Sequence, residues 1–201
     1  MQSIPATPSR PTLSALRHLL TYLLVLAGLM MPPHLTAQAP ASPARTKVTP
    51  VVPYGGIYTL PEATVTPDPE LSYRLVIDVV TGQETPDSLA QGLYNVARML
   101  NLFSVGGVPD EQVEVVLAIH GGATFAVMND ALYREHYGID NPNLPLVRAL
   151  KEAGVQVTVC GQSLIGRGIP VDGVAPEVEV ATSMLTTVAM YQMRGYGLLR
   201  F

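Results

Sequence analysis

The sequence predicts a single α/β domain with a mostly parallel sheet flanked by helices, and three observations predict it. Short apolar, β-branched runs recur at 73–80, 113–119 and 155–160, the pattern of strands buried on both faces. Segments with helical spacing of apolar residues separate those runs. The third observation is a split in composition: twelve of the 18 prolines lie within residues 1–69, and every acidic residue lies from Glu62 onward. Only the later part carries the periodicity of a core, and 201 residues allow one ordinary domain of roughly 100–150 residues plus attachments.

The domain is read as residues 72–201. Its first strand is 73–80 (YRLVIDVV), interrupted only by Arg74 and Asp78. Thr85 offers an N-cap with Pro86 at the first helical position, and Leu89, Leu93, Val96, Leu100 and Phe103 then share one helical face. Gly106 to Pro109 break that helix, and 113–119 (VEVVLAI) makes the second strand, ending at His120-Gly121-Gly122. Phe125, Met128 and Leu132 predict one following helix that stops at Gly138. Leu146, Val147 and Leu150 line a short helix before Gly154. The third strand, 155–160, ends at Cys160, and a short helix from Gln162 to Gly168 follows. A fourth strand falls at 178–181. Ser183 caps a helix carrying Met184, Val188 and Tyr191, and Leu198 to Phe201 add a fifth strand.

The first third reads as an address and a spacer. Arg10 and Arg17 precede the uncharged run from Leu19 to Met31, and the small residues Thr36 to Ala39 follow it, which is the pattern of a signal peptide over 1–39. That run is shorter than the ~20 residues a membrane-spanning helix needs. The expected localisation is therefore periplasmic or secreted, with no membrane span after cleavage. Residues 40–71, rich in Pro, Thr and Ala, are expected to be a stiff, largely disordered linker.

Composition also excludes function classes. The net charge is −4, and no basic patch exists to release counterions from a phosphate backbone, so no nucleic-acid partner is expected. The four histidines, His18, His34, His120 and His136, have no paired ligand spacing, so no metal is expected, and no cofactor either. Neither a dinucleotide fingerprint nor a Walker A pattern is present, and no G-x-S-x-G elbow occurs.

Chemistry is expected outside the carboxyl ends of the strands, where loops meet helix N-termini. Asp78, His120 and Cys160 fall at the ends of three strands. Cys160 is the single cysteine, so an exported chain has no internal disulfide, and its thiol is buried, partnered or used. The backbone amides of Gly161, Gln162 and Ser163 would favour its thiolate, and Gly161 opens the approach to the sulfur. His120 is the candidate base beside the thiol, and Asp78 is a polar break that needs hydrogen-bond partners. Arg167 would pair with a carboxylate or attract an anionic sulfur species.

The passages VTVCGQSLIGRG, VVLAIHGG and MYQMRGYGLLRF together resemble the DsrE/DsrF-like sulfur-relay family, including its small exported members, over about residues 72–201. That resemblance implies a five-stranded parallel sheet flanked by helices and assembly into a homo-oligomer. It also implies that Cys160 stands where sulfurtransferase members carry a persulfide, with a sulfur-donor or acceptor protein as partner. The expected function is thus an exported sulfur carrier or sulfurtransferase-like protein. The rival is a non-catalytic oligomeric binding or scaffold module in which Cys160 is structural, since free cysteines are commonly small buried hydrophobes.

Overall fold

A computed structural model describes residues 47–201. The expected signal peptide over 1–39, and residues 40–46 of the expected linker, lie outside the described residues. Two short strands, β1 (Lys47–Val48) and β2 (Ile57–Tyr58), pair antiparallel ahead of the main sheet. The sheet itself is built around β3 (Tyr73–Val79), which pairs in parallel with β4 (Val113–Ile119) along its whole length, from Tyr73↔Val113 to Val79↔Ile119. On the far side of β4 lie β5 (Gln156–Cys160) and then β6 (Glu179–Ala181), while β7 (Gly197–Arg200) flanks the other edge of β3. The order is β6-β5-β4-β3-β7 and every pair is parallel, so the carboxyl ends of all five strands point the same way.

Strand parity divides the side chains between two faces. Ile77, Val79, Leu117, Ile119, Val157 and Val159 point into the main core with helices α1 (Gln91–Val105) and α3 (Leu144–Glu152). Leu93, Val96, Leu146 and Leu150 are the facing residues, each fully buried, and each such side chain contributes roughly 1.5–3 kcal/mol through its removal from water. The opposite face carries a smaller cluster of Val76, Val116, Tyr191 and Tyr196, covered by α5 (Met184–Met193). The connections running from β3 towards β6 put their helices on one face. The connection from β6 back across the sheet to β7 puts α5 on the other, as the handedness of parallel crossovers requires. Tyr191 and Tyr196 stack edge to face at 4.9 Å, and Arg74 lies 4.4 Å over the Tyr196 ring. The Tyr196 hydroxyl donates to Glu114, whose carboxyl is held below the ordinary carboxylate range mainly by that bond.

Three helix boundaries differ from the sequence expectation, each for a local reason. Thr85 and Pro86 do not start α1, because residues 85–88 close their own turn: Ser88 Oγ accepts from Thr85 N–H and donates to its carbonyl. The first amides of α1 are instead taken up by the carbonyls of Gly82 and Thr81. The single helix expected after Gly122 is two pieces, a 3₁₀ helix at Gly121–Val127 and α2 (Asp130–Tyr137). Asn129 divides them: its Oδ1 caps Leu132 N–H at 2.8 Å, and a backbone extended enough to cap cannot continue the preceding helix. The helix after Cys160, α4, runs over Gly161–Gly166 and stops two residues short of the expected Gly168, because the amides of Arg167 and Gly168 bond three residues back, to the carbonyls of Leu164 and Ile165, and tighten the last turn.

The largest departure concerns the Pro-rich stretch. Over residues 51–57 it packs on α1 instead of forming a disordered linker, with Val52 and Ile57 fully buried, while most of 58–71 is exposed. Asn101, itself buried, holds the stretch through five hydrogen bonds, one of them from Nδ2 to the Gly55 carbonyl at 3.4 Å. Its Oδ1 accepts from the amides of Val51 at 2.9 Å and Val52 at 3.0 Å, and its Nδ2 donates to the carbonyls of Val52 at 3.1 Å and Tyr54 at 2.7 Å. Prolines lack the amide for a ladder, so one side chain supplies the partners that a strand neighbour otherwise would. Substituting Asn101→Ala is expected to cost about 2–4 kcal/mol, because several buried backbone groups lose their partner together. Urea unfolding measures that loss, and limited proteolysis should show cleavage appearing between residues 48 and 58.

Candidate functional site

The carboxyl end of the second sheet face brings together residues from four neighbouring strands. Asp78 is in register with Ala118 on β4 and with Arg200 on β7. Ile119 is in register with Val159, so His120 and Cys160 are the next pair along β4 and β5. Parity places Asp78, His120 and Cys160 on the face that α5 only partly covers. Here the polar break in β3 finds its reason: Asp78 points away from the main core.

Asp78 is paired on both oxygens. Its Oδ1 lies 2.5 Å from His120 Nε2 and its Oδ2 lies 3.4 Å from Arg200 Nε. Arg200 is mostly exposed, so its pairing is screened by solvent and orients more than it stabilises. An ionised Asp78 accepts from Nε2–H, which leaves Nδ1 as the basic nitrogen of the neutral imidazole. The backbone holds the ring in place as well, since His120 N–H donates to the Val79 carbonyl at 2.9 Å.

Cys160 ends β5 and stands immediately before α4, as the sequence predicts, but its surroundings differ from the expectation. The residue is 5% exposed. Its thiol makes no capping hydrogen bond to the first amides of α4, so Gly161, Gln162 and Ser163 do not cradle the sulfur. The near polar neighbour is Ser183, with Sγ and Oγ 4.0 Å apart. Ser183 in turn caps α5 by accepting from Leu185 N–H. Gly161 is needed for close approach of the chain: a Cβ there would sit 2.9 Å from the Ala181 carbonyl oxygen. Ala181 thus lies beside Cys160 in the sheet, and Ser183 brings its hydroxyl to the thiol from the edge strand.

The remaining candidates divide between two places. Ser163 and Arg167 belong to a separate cluster that ties α4 to the 3₁₀ helix, with Thr124 Oγ1 at 2.7 Å from Ser163 Oγ and Arg167 Nη1 donating to the same oxygen at 2.9 Å. Arg167 also lies 5.7 Å over the Phe125 ring. Its role there is to fasten the loop that follows His120, and Gln162 is exposed beside it. Sequence reasoning missed Arg200, Ser183 and Thr124. Arg200 is visible only once β7 is known to pair with β3, and from the sequence Ser183 reads solely as a cap. Among the described residues no three metal-ligating side chains gather, and no helix is long and apolar enough to cross a membrane.

Comparison with known proteins gives one family. A model of the DsrE/DsrF-like family matches residues 74–201. Among solved structures the chain is similar to MTH1491 from Methanobacterium thermoautotrophicum, described as a protein of unknown function, at 19% identity and a TM-score of 0.47. That match covers 64% of this chain and 99% of the other. It is also similar to the ychN protein from E. coli, at 19% identity and a TM-score of 0.43, with 64% and 99% covered. No curated protein matches in sequence.

Proposed function

We propose, for a chain that belongs to the DsrE/DsrF-like family through residues 74–201, that it works in a sulfur-relay role with Cys160 as the residue that accepts and passes on sulfur. The observation that supports this reading is the row Cys160, His120 and Asp78 on adjacent strands, with a carboxylate 2.5 Å from the imidazole. In the transfer, His120 takes the thiol proton and the Cys160 thiolate attacks the outer sulfur of a donor persulfide. A new S–S bond forms at Cys160, the donor's S–S bond breaks, and the donor leaves as a thiolate, so no oxidant is consumed. Access requires the groups that enclose the sulfur, Ser183 among them, to move aside, since only one-twentieth of Cys160 is exposed.

That burial favours a second reading, an oligomeric binding or scaffold module with a structural cysteine. Intact mass spectrometry of the full-length protein after exposure to polysulfide separates the two, with Cys160→Ser as the control. The relay reading expects a reductant-labile gain of one or two sulfur atoms at Cys160, and a loading rate about a hundredfold lower in His120→Ala. An unmodified thiol that reacts with alkylating reagents only after unfolding gives the module reading instead.

We also propose that the chain is a homo-oligomer and is exported. Support for the first is the charge-free α5, whose Leu185 is 73% and Met193 88% exposed, next to Leu198 on β7. Light scattering should return a multiple of the monomer mass, and a monomer at all concentrations would overturn it. Support for the second is the leader pattern in residues 1–39. Mass analysis of the native protein should find that segment removed, and an intact N-terminus on a cytoplasmic protein would overturn export.

A further inference from the structure

A second opening lies at the carboxyl end of the sheet, between the loop after β3 and the loop after β4. It is a cleft of about 330 Å³, lined by Gly82, Gln83, Glu84, Thr85, Phe125 and Tyr137 together with Pro86 and Gly122. Small-molecule sites start at about that size. Cys160, His120 and Asp78 do not line it. The two loops meet backbone to backbone at Gly82 and Gly122: a Cβ on Gly82 would stand 2.4 Å from the Gly122 carbonyl oxygen.

The lining is chemically one-sided. Glu84 and Gln83 are part of it and no Lys, Arg or His is, Arg167 and His136 lying behind it against the Phe125 ring at 5.7 and 5.9 Å. The orientation of Gln83 is fixed by its neighbours. The Tyr133 hydroxyl donates to the Pro86 carbonyl at 2.7 Å, and a carbonyl can only accept. The hydroxyl oxygen must then accept from Gln83 Nε2, which lies 3.2 Å away. That leaves Gln83 Oε1 buried with no donor among the described residues. Phe125 and Tyr137 supply an apolar wall, their rings edge to face at 6.3 Å.

We infer that this cleft binds a small molecule with an apolar body and a protonated amine, the ammonium donating to Gln83 Oε1 and the Glu84 carboxylate while the body rests on Phe125 and Tyr137. Buried acceptors beside a carboxylate reject an anion and favour a cation with several N–H donors. Oε1 is buried, so the ammonium reaches it as the Gln83 side chain turns about its bond to Tyr133, and a three-donor ammonium can follow that turn.

Saturation-transfer NMR on the full-length protein tests this with three probes that share one body: phenethylamine, phenethyl alcohol and 3-phenylpropionate. Phenethylamine is expected to bind about tenfold or more tightly than either of the others. Glu84→Gln should reduce that preference about fivefold, and Gln83→Leu should weaken the amine by about tenfold. Glu84 is exposed, so its variant keeps the fold and decides the matter if Gln83→Leu melts early. Cys160→Ser should bind the amine as the wild type does. Equal or tighter binding of the carboxylate, an amine affinity unchanged in Glu84→Gln, or no transfer to any probe at about 5 mM would overturn the assignment.

Discussion

The parallel register of β3 on β4 is the constraint from which the rest follows. Seven successive pairs, from Tyr73↔Val113 to Val79↔Ile119, fix which side chains of each strand face which layer. Odd-numbered residues from Leu75 to Val79 turn towards α1 and α3, and even-numbered ones turn towards α5. A slip of one residue would carry Asp78 into a core of Leu93, Leu117 and Leu150, where an ionised carboxylate has no partner. In the register found, the same residue reaches His120 on one side and Arg200 on the other. The apolar core and the polar row are two results of one alignment.

The two faces of the sheet are covered unequally, and this shapes what the site can do. The face towards α1 and α3 is sealed by large aliphatic side chains with almost no exposure. The other is covered by α5, in which only Thr187 and Tyr191 are buried. Polar groups therefore have room at its carboxyl end. Cys160 is nevertheless buried, with Ala181 of β6 beside it in the sheet and the Ser183 hydroxyl that starts α5 next to its sulfur. Reactivity at this thiol is a matter of how readily a short edge strand and a helix start can yield, both being elements with few buried contacts.

The segment ahead of the domain shows how composition and context can disagree. Proline richness, low apolar content and lack of periodicity describe residues 48–71 correctly, yet Val52 and Ile57 are as buried as the strand interiors. Two apolar residues without a period carry no pattern to read. What orders them is Asn101, one turn beyond Ala97 at the edge of the buried stripe of α1, a polar residue whose amide offers both donor and acceptor to a backbone that has no strand beside it.

Local chemistry settled much of this protein in the sequence. The β-branched runs specify strands at 73–79, 113–119 and 156–160 because burial on both faces demands continuous apolar residues. Ser183 marks the start of α5 through its own side chain, and Cys160 falls at a strand end because Gly161 cannot extend the strand pattern. The α/β class and the family likeness over the second part of the chain follow from such short-range signals. Tertiary structure alone decided the rest. That Arg200 meets Asp78, that Ser163 and Arg167 belong with Thr124 and not with the thiol, that the amides of α4 leave the sulfur unbonded, and that Gln83 and Glu84 border a cleft all depend on which strands are neighbours. Strand order is set by the summed packing of residues far apart in the chain, and no window of sequence contains both partners of those contacts.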